Sequence, residues 1–592
     1  MECLKHRGPH GNDVLPADRV ALGHCHFWTT PEEQGERQPL SLAGLPFRIV
    51  LDGRLDNREE LFARLSIPPA DGKLLSDAAL VLHAYDRWGE KCFEYFIGEY
   101  ALVIFDERRT SLVCARDSLG DRTLFYSVHG SQVVIASEAR AVAEANGLVD
   151  SLNENAVAHY FARKAPQDGQ TLYKDVFELL PARAMLVDVS GQRVWRYWQP
   201  DLSRKIHGRS NEDYAGEFRS LLEESVRCRL RSNAPVGVLM SGGLDSTSVA
   251  CLAARLIAPN PLTTISYVFD ELHDCDERQY IDAVSTKWNT RSIQIPCDDA
   301  WPLKDWNTWP HNPNYPEGNP YRLLKERAYA RARQEGLRVV LTGGFGDHLY
   351  GAGVEWLADL MVEGRFMEAG RELGLYLRYA GLHWLLDAGY LQRVARRWLN
   401  VIPSTRRIKL KRPAPPWMTD SMNRQVLEIS PESERDLFPY GNLLGSMAAL
   451  SSSAEIFHAS CHGIELRHPY RDRRLVEYVL SLPADQLYYH NTNKRVLRSA
   501  MKDILPEVVR TRLQPTSLGA LFLRGLNREK ERLDANLRAS GETLYGFIRS
   551  DWLWQHWNVS KPSNMDDSDT AVIWSCAAYL KWKDHTLPGM AI

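Results

Sequence analysis

The segment best equipped for chemistry is Val238-Leu239-Met240-Ser241-Gly242-Gly243-Leu244-Asp245-Ser246-Thr247-Ser248. An apolar run enters a small-residue turn, and a stretch rich in alanine and leucine follows, a pattern that predicts strand, turn and helix in that order. Glycines in such a turn let backbone N–H groups converge on an anion, and the helix N-terminus adds its positive end. Ser241, Ser246 and Thr247 offer hydroxyls to phosphate oxygens, and Leu239, Gly242 and Gly243 are expected to bind the nucleotide with them. Asp245 has no basic neighbour in sequence, so a Mg²⁺ carried by the phosphates is its natural partner. The loop is not of the G-x-x-x-x-G-K-[ST] type.

The elements that must position this loop follow from periodicity. From Asn211 onward, helical stretches precede short apolar strands at Val236–Met240 and Arg338–Thr342. That alternation predicts an α/β layer with a parallel sheet. Residues 1–200 read instead as strands and short turns, at 47–53, 100–105 and 111–117, with a helix over 76–88. The polar stretch 201–208 marks a boundary, giving units 1–200 and 209–592. Within the second, 354–440 reads as a helical insert ending in a basic, proline-rich stretch, and the last third is mostly helical.

Composition bounds the class. The 592 residues carry a formal net charge of −3, which argues against a protein held to nucleic acid by blanket phosphate neutralisation. Apolar residues at 44% and charged residues at 25% match ordinary globular usage. No apolar run is long enough for a spanning helix, and Met1–Arg7 has no apolar signal core, so a cytoplasmic location away from membranes is expected. The ten cysteines lie far apart without a C-x-x-C pair, which predicts free thiols. His458, His462 and His468 lack H-E-x-x-H spacing, so zinc is not indicated.

The Ser241–Ser246 string resembles the pyrophosphate loop, SGGxDS, of ATP pyrophosphatases, which cleave ATP to AMP and pyrophosphate. Further segments resemble asparagine synthetases: Lys5-His6-Arg7-Gly8-Pro9-His10-Gly11, Cys114–Gly120 followed by Leu124-Phe125-Tyr126, Ala136-Ser137-Glu138, Gly463–Asp472 and Lys494–Arg498. The resemblance implies an α+β amidotransferase-like β-sandwich with helices in 1–200. It implies an α/β ATP-pyrophosphatase domain with a helical C-terminal part in 209–592. ATP and Mg²⁺ are the implied cofactors. Thr342-Gly343-Gly344-Phe345-Gly346-Asp347-His348 resembles the family's SGEGxDE loop, which adds Gly343 to the nucleotide site and makes Asp347 the second Mg²⁺ carboxylate.

Departures from the family shape the rest of the reading. The chain begins almost at HRGP, so the strand bearing a glutaminase nucleophile is expected to be missing; an in-frame upstream Met-Cys would restore it. Cys3 aligns with a helix residue and is not expected to replace that nucleophile. The glutamine-gripping NGE loop stands as Asp52-Gly53-Arg54, which sets a cation where an ammonium should sit, and His26 takes the place of the carboxylate-binding arginine. The N-terminal unit is therefore expected not to release ammonia. In the other unit Gly344 replaces a glutamate, and no lysine lies within 510–516, leaving Lys494, Arg510 or Arg512 to neutralise the transition state. Glu465 is either a general base with a raised pKa or an ion-pair partner of Arg467. Asp270, Glu271, Asp276 and Glu277 either line the nucleotide cleft or form a solvated loop. The cluster Arg393, Arg396, Arg397, Arg406, Arg407, Lys409, Lys411 and Arg412 is either a seat for an acidic peptide or partner protein or solvated surface.

The Gly-Asp-His ending resembles lasso-peptide cyclases, and a small-ring closer similar to β-lactam synthetase is the near alternative. The resemblance implies a peptide or amino-acid carboxylate substrate, a precursor-processing protease or leader-binding protein as partner, and no nucleic acid. An ammonia-using asparagine synthetase and a non-catalytic ATP- or peptide-binding homologue remain the competing readings.

Overall fold

In the computed structural model the described residues are 1–16, 19–130, 132–166, 168–350, 360–361, 364–380, 415–427, 446–489, 492–539, 541–557 and 567–587. The N-terminal part is organised by an antiparallel six-stranded sheet whose central strands are Phe47–Leu55, Gly98–Asp106 and Ser111–Arg116. Alternate residues serve opposite faces, as the pleat requires. Ile49, Leu51, Leu102, Ile104, Val113 and Ala115 pack on Leu80, Val81 and Ala84 of the helix Asp77–Trp88. Ser76 caps that helix by accepting from the Ala79 N–H at 3.1 Å. Ala101, Val103 and Cys114, on the other face, meet Leu22, Leu124 and Leu179 from outside the sheet. The result is a sandwich with helices against one outer face.

The C-terminal part is built on a five-stranded parallel sheet in the spatial order 291–296, 263–268, 236–239, 339–342 and 465–467. The strand Val236–Leu239 lies at its centre, and the order reverses between it and Val339–Thr342. In open parallel sheets of this kind, ligands bind beyond the carboxyl ends of the strands where the order reverses. Both small-residue loops singled out by the sequence leave the sheet at that point. The helix Leu244–Ile257 buries Val249, Ala250, Leu252 and Ala253 beneath the first loop and fixes its end. Among the described residues no helix is long and apolar enough to cross a membrane.

Candidate nucleotide site

Close approach, rather than an unusual backbone angle, explains the glycines here. Gly243 has φ −75° and serves as the N-cap of the helix Leu244–Ile257. A Cβ on Gly343 would lie 2.4 Å from the Ser246 nitrogen and 2.6 Å from its Cα, and one on Gly346 would lie 2.4 Å from Asp245 Cγ. The two loops therefore touch backbone to backbone, and neither side of the first contact is a flexible side chain that can yield. Gly343→Ala is expected to weaken Mg-ATP binding at least about tenfold, because separating the loops disperses the donors that face one phosphate chain. Calorimetry with Mg-ATP reads this directly, and wild-type affinity in the variant would contradict the geometry.

The hydroxyls of the loop divide into two groups. Ser241 is exposed, and its Oγ accepts from the Gly243 N–H at 3.2 Å and meets Ser246 Oγ at 2.9 Å. Thr247 is fully buried and donates to the carbonyl of Gly243 at 2.8 Å. The expectation that Thr247 offers its hydroxyl to phosphate is corrected: that hydroxyl serves the first turn of its own helix.

Asp245 and Asp347 come together around a lysine. Lys494 Nζ stands 2.5 Å from Asp245 Oδ2 and 2.6 Å from Asp347 Oδ1. Lys494 has φ 56° at the N-cap of the helix Arg495–Ala500, a left-handed conformation that is costly for a side chain of its size and concentrates at functional sites. Burial pushes the Asp245 carboxyl up to about 6, with Lys494 opposing that rise and Asp347 adding to it. Asp245 Oδ1 is buried with no hydrogen-bond partner among the described residues, whereas the Asp347 side chain is 78% exposed at the rim. An orphaned carboxylate oxygen beside a second carboxylate suits a hard divalent cation such as Mg²⁺, so the residues fit the expected metal.

Arg512 reaches the same loop from far along the chain. Its Nη1 donates to the Gly242 carbonyl at 2.9 Å and to Glu277 Oε1 at 2.8 Å, and its guanidinium lies 4.2 Å from the centre of the Tyr280 ring. Glu277 Oε2 accepts the Gly242 N–H at 2.9 Å. Of the acidic residues flagged in 270–277, Glu277 is thus the one at the loop. Asp276 caps the Phe269 N–H, and Asp270 and Glu271 pair with Arg278 and Arg524. Arg510 pairs with Glu507 at 2.6 Å, so of the three candidate cations Lys494 and Arg512 are the ones at the loop.

Glu465 requires a correction. It is buried and surrounded by Arg122 at 2.7 Å, Arg467 at 3.0 Å and Arg54 at 3.2 Å. Burial alone would raise its carboxyl, but the three guanidiniums, Arg467 foremost, hold it well below the usual carboxylate range. A carboxylate so stabilised is a poor proton acceptor, so the general-base role is withdrawn and the ion pair with Arg467 stands.

Arg54 is corrected for the same reason. It is 1% exposed and pairs with Asp56, Glu99 and Glu465, so its charge does not enter the neighbouring cavity. That cavity, of about 690 Å³, is lined by Asp52, Gly53, His24 and Glu33 among others. Asp52 is held by Arg7 at 2.8 Å and Arg122 at 3.4 Å. His26 is buried between Asp13 and His24, each at 3.0 Å. Burial also pushes the Cys3 thiol up, and all ten cysteines are free. Among the described residues one Asp/Cys trio, Asp56, Cys228 and Asp472, has converging ligand atoms, and Arg229 and Arg474 already serve it. The basic cluster from Arg393 to Arg412 lies outside the described residues.

A parallel sheet with a pyrophosphate-type loop at its switch point, following an amidotransferase-like sandwich, defines the class of ATP-dependent C–N ligases. The comparisons agree. The sequence model described as asparagine synthase matches residues 217–582, and that described as a glutamine amidotransferase domain matches 1–198. The chain belongs to the asparagine synthase family. It is 25% identical over 532 residues to asparagine synthetase [glutamine-hydrolyzing] 3 of Bacillus subtilis, covering 86% of this chain and 81% of that one. It is 26% identical over 403 residues to a putative asparagine synthetase 2 of Methanocaldococcus jannaschii, covering 64% and 76%. Amidase chry2 of Gibberella zeae is 25% identical over 400 residues, covering 61% and 56%.

Proposed function

We propose that this chain activates a carboxylate with ATP as an acyl-adenylate, and that carboxylate and amine belong to one peptide, so that the product is a macrolactam. The observation that carries the activation step is the Asp245–Lys494–Asp347 cluster at the carboxyl ends of the central strands. A carboxylate oxygen attacks the α-phosphorus and the bond to pyrophosphate breaks. The amine nitrogen then attacks the acyl carbon, AMP leaves with the electron pair of the C–O bond, and the proton lost by the amine passes to water. Asp245 and Asp347 would hold Mg²⁺, which supplies charge neutralisation to the phosphates. Lys494 and Arg512 place fixed positive charge beside the loop, and the chain's contribution is positioning and electrostatics.

The source of the amine rests on the N-terminal pocket. Asp52 is engaged by two arginines and Arg54 points elsewhere, so the segment 52–54 offers no spare amide or carboxylate to grip glutamine. A peptide with a free N-terminal amine and an internal Asp or Glu is the substrate this reading requires, and a protease that exposes the amine is the partner it calls for. The test is AMP release from Mg-ATP, with aspartate plus ammonium, aspartate plus glutamine, and such peptides in separate arms. AMP only with peptide, together with a product lighter by one water, is the expected result. AMP dependent on aspartate and ammonium would make the chain an asparagine synthetase. Silence in all arms would favour a binding protein without turnover.

A further inference from the structure

His468 follows the strand Glu465–Arg467, whose neighbour in the sheet, Val339–Thr342, leads into the loop bearing Gly343 and Asp347. It is 3% exposed, and its Nδ1 lies 2.8 Å from Thr342 Oγ1. The Thr342 hydroxyl also accepts the Gly344 N–H at 3.0 Å. Sending the hydroxyl's single proton to Nδ1 uses every group in this chain of bonds, and it leaves the imidazole's own proton on Nε2. Burial supports the neutral ring by lowering its pKa to about 3. Nε2 is buried and has no hydrogen-bond partner among the described residues. An N–H donor left bare inside a protein costs free energy unless a ligand or water meets it.

Gly344 belongs to the same arrangement. A Cβ there would lie 2.9 Å from Thr342 Oγ1 and 3.2 Å from His468 Nδ1, so any side chain at 344 would displace the pair. The Phe345 ring stands edge-on to His468 with centroids 5.0 Å apart, backed by Arg471 at 4.4 Å, which limits the imidazole's freedom to turn. The loop glycine and the histidine are therefore matched: the polar group at this place comes from the neighbouring strand end instead of the loop.

We propose that His468 Nε2 is a substrate-binding donor for an oxygen of the acyl group undergoing activation. This rests on the acyl-adenylate reading above. The contact requires no change in protonation, because a neutral imidazole donates without gaining a charge. Beside the positive charge of Lys494 and Arg512 it would supply one neutral, directional bond.

The test uses two stable nucleotides that differ only in the acyl group, 5′-O-sulfamoyladenosine and its N-acetyl derivative, titrated calorimetrically into the full chain. His468→Asn can still accept from Thr342 but has no donor at the reach of Nε2, whereas His468→Gln has one. His468→Asn is expected to weaken the N-acetyl compound about tenfold while leaving sulfamoyladenosine unchanged, and His468→Gln is expected to recover most of the loss. Equal loss for both compounds would assign His468 a purely structural role and overturn the proposal. No loss for either would leave Nε2 to a resident water and overturn it as well. Failure of the wild-type chain to bind either compound would instead remove the nucleotide reading itself, and this proposal with it.

Discussion

Replacing Lys494 by methionine is expected to cut AMP release by about 10²–10³, the range seen when one fixed charge or donor is removed from a transition state. The size follows from where the ammonium stands. Lys494 Nζ meets Asp245 and Asp347 at 2.5 and 2.6 Å, and a left-handed residue is maintained to put it there. Methionine has similar bulk but leaves two facing carboxylates without their cation. Asp245 is already pushed by burial to about 6, and Lys494 opposes that rise. At limiting Mg-ATP, where the rate reports the free enzyme, wild-type activity should therefore fall as pH drops through about 6, as the unliganded Asp245 takes up a proton. In Lys494→Met the same limb should move to higher pH, since the opposing charge is gone. Lys494→Arg should restore little, because a planar guanidinium does not replace a compact ammonium between two carboxylates. A pH–rate profile of the three proteins reads each part, and an unmoved acid limb in Lys494→Met would contradict the assignment.

Glu465→Gln is expected to lower stability by about 3–5 kcal/mol at neutral pH, the usual cost of breaking a buried ion pair by removing one partner. Arg54, Arg122 and Arg467 converge on this single carboxylate, and all three are buried. Because Arg54 and Arg122 belong to the sandwich and Arg467 to the parallel sheet, the loss should appear as weakened attachment between the two parts. The sign of the pH dependence follows from the depressed carboxyl. Its stabilisation is present above the unfolded glutamate value of about 4.3 and is lost as pH falls toward the folded value. The gap between wild type and Glu465→Gln should thus be full at pH 7 and shrink below about pH 4. Thermal unfolding across that range measures it, and a gap independent of pH would contradict the ion-network account.

Much of the architecture was legible because it depends on local pattern. The runs at 47–53, 100–105 and 236–240 are apolar and bounded by turn residues, and each forms a strand, the last ending one residue early at Leu239. Asp245 and Asp347 could be paired because each sits in a recognisable small-residue loop, and the loops meet. Contacts between residues distant in sequence were less legible. Glu465 looks the same in sequence whether it faces solvent or three arginines, and only the fold brings Arg54 and Arg122 to it from more than three hundred residues away. Thr247 reads as a phosphate ligand until its hydroxyl is seen to bond its own helix. His468 gave no signal beyond its neighbourhood, since its partner Thr342 is 126 positions earlier. Gly344 looked like a lost glutamate, whereas its missing side chain makes room for that histidine.

The central claim is that a carboxylate is activated by transfer of adenylate, and its oxygen atoms provide the most direct test. With ¹⁸O in the carboxylate of the acid that supports turnover, Mg-ATP as the nucleotide and the full chain as enzyme, the AMP released is analysed by mass spectrometry. The account predicts one ¹⁸O in the phosphate of AMP for each amide formed, since the C–O bond of the acyl-adenylate breaks when the amine arrives. Unlabelled AMP, or ADP and labelled inorganic phosphate in its place, would contradict it.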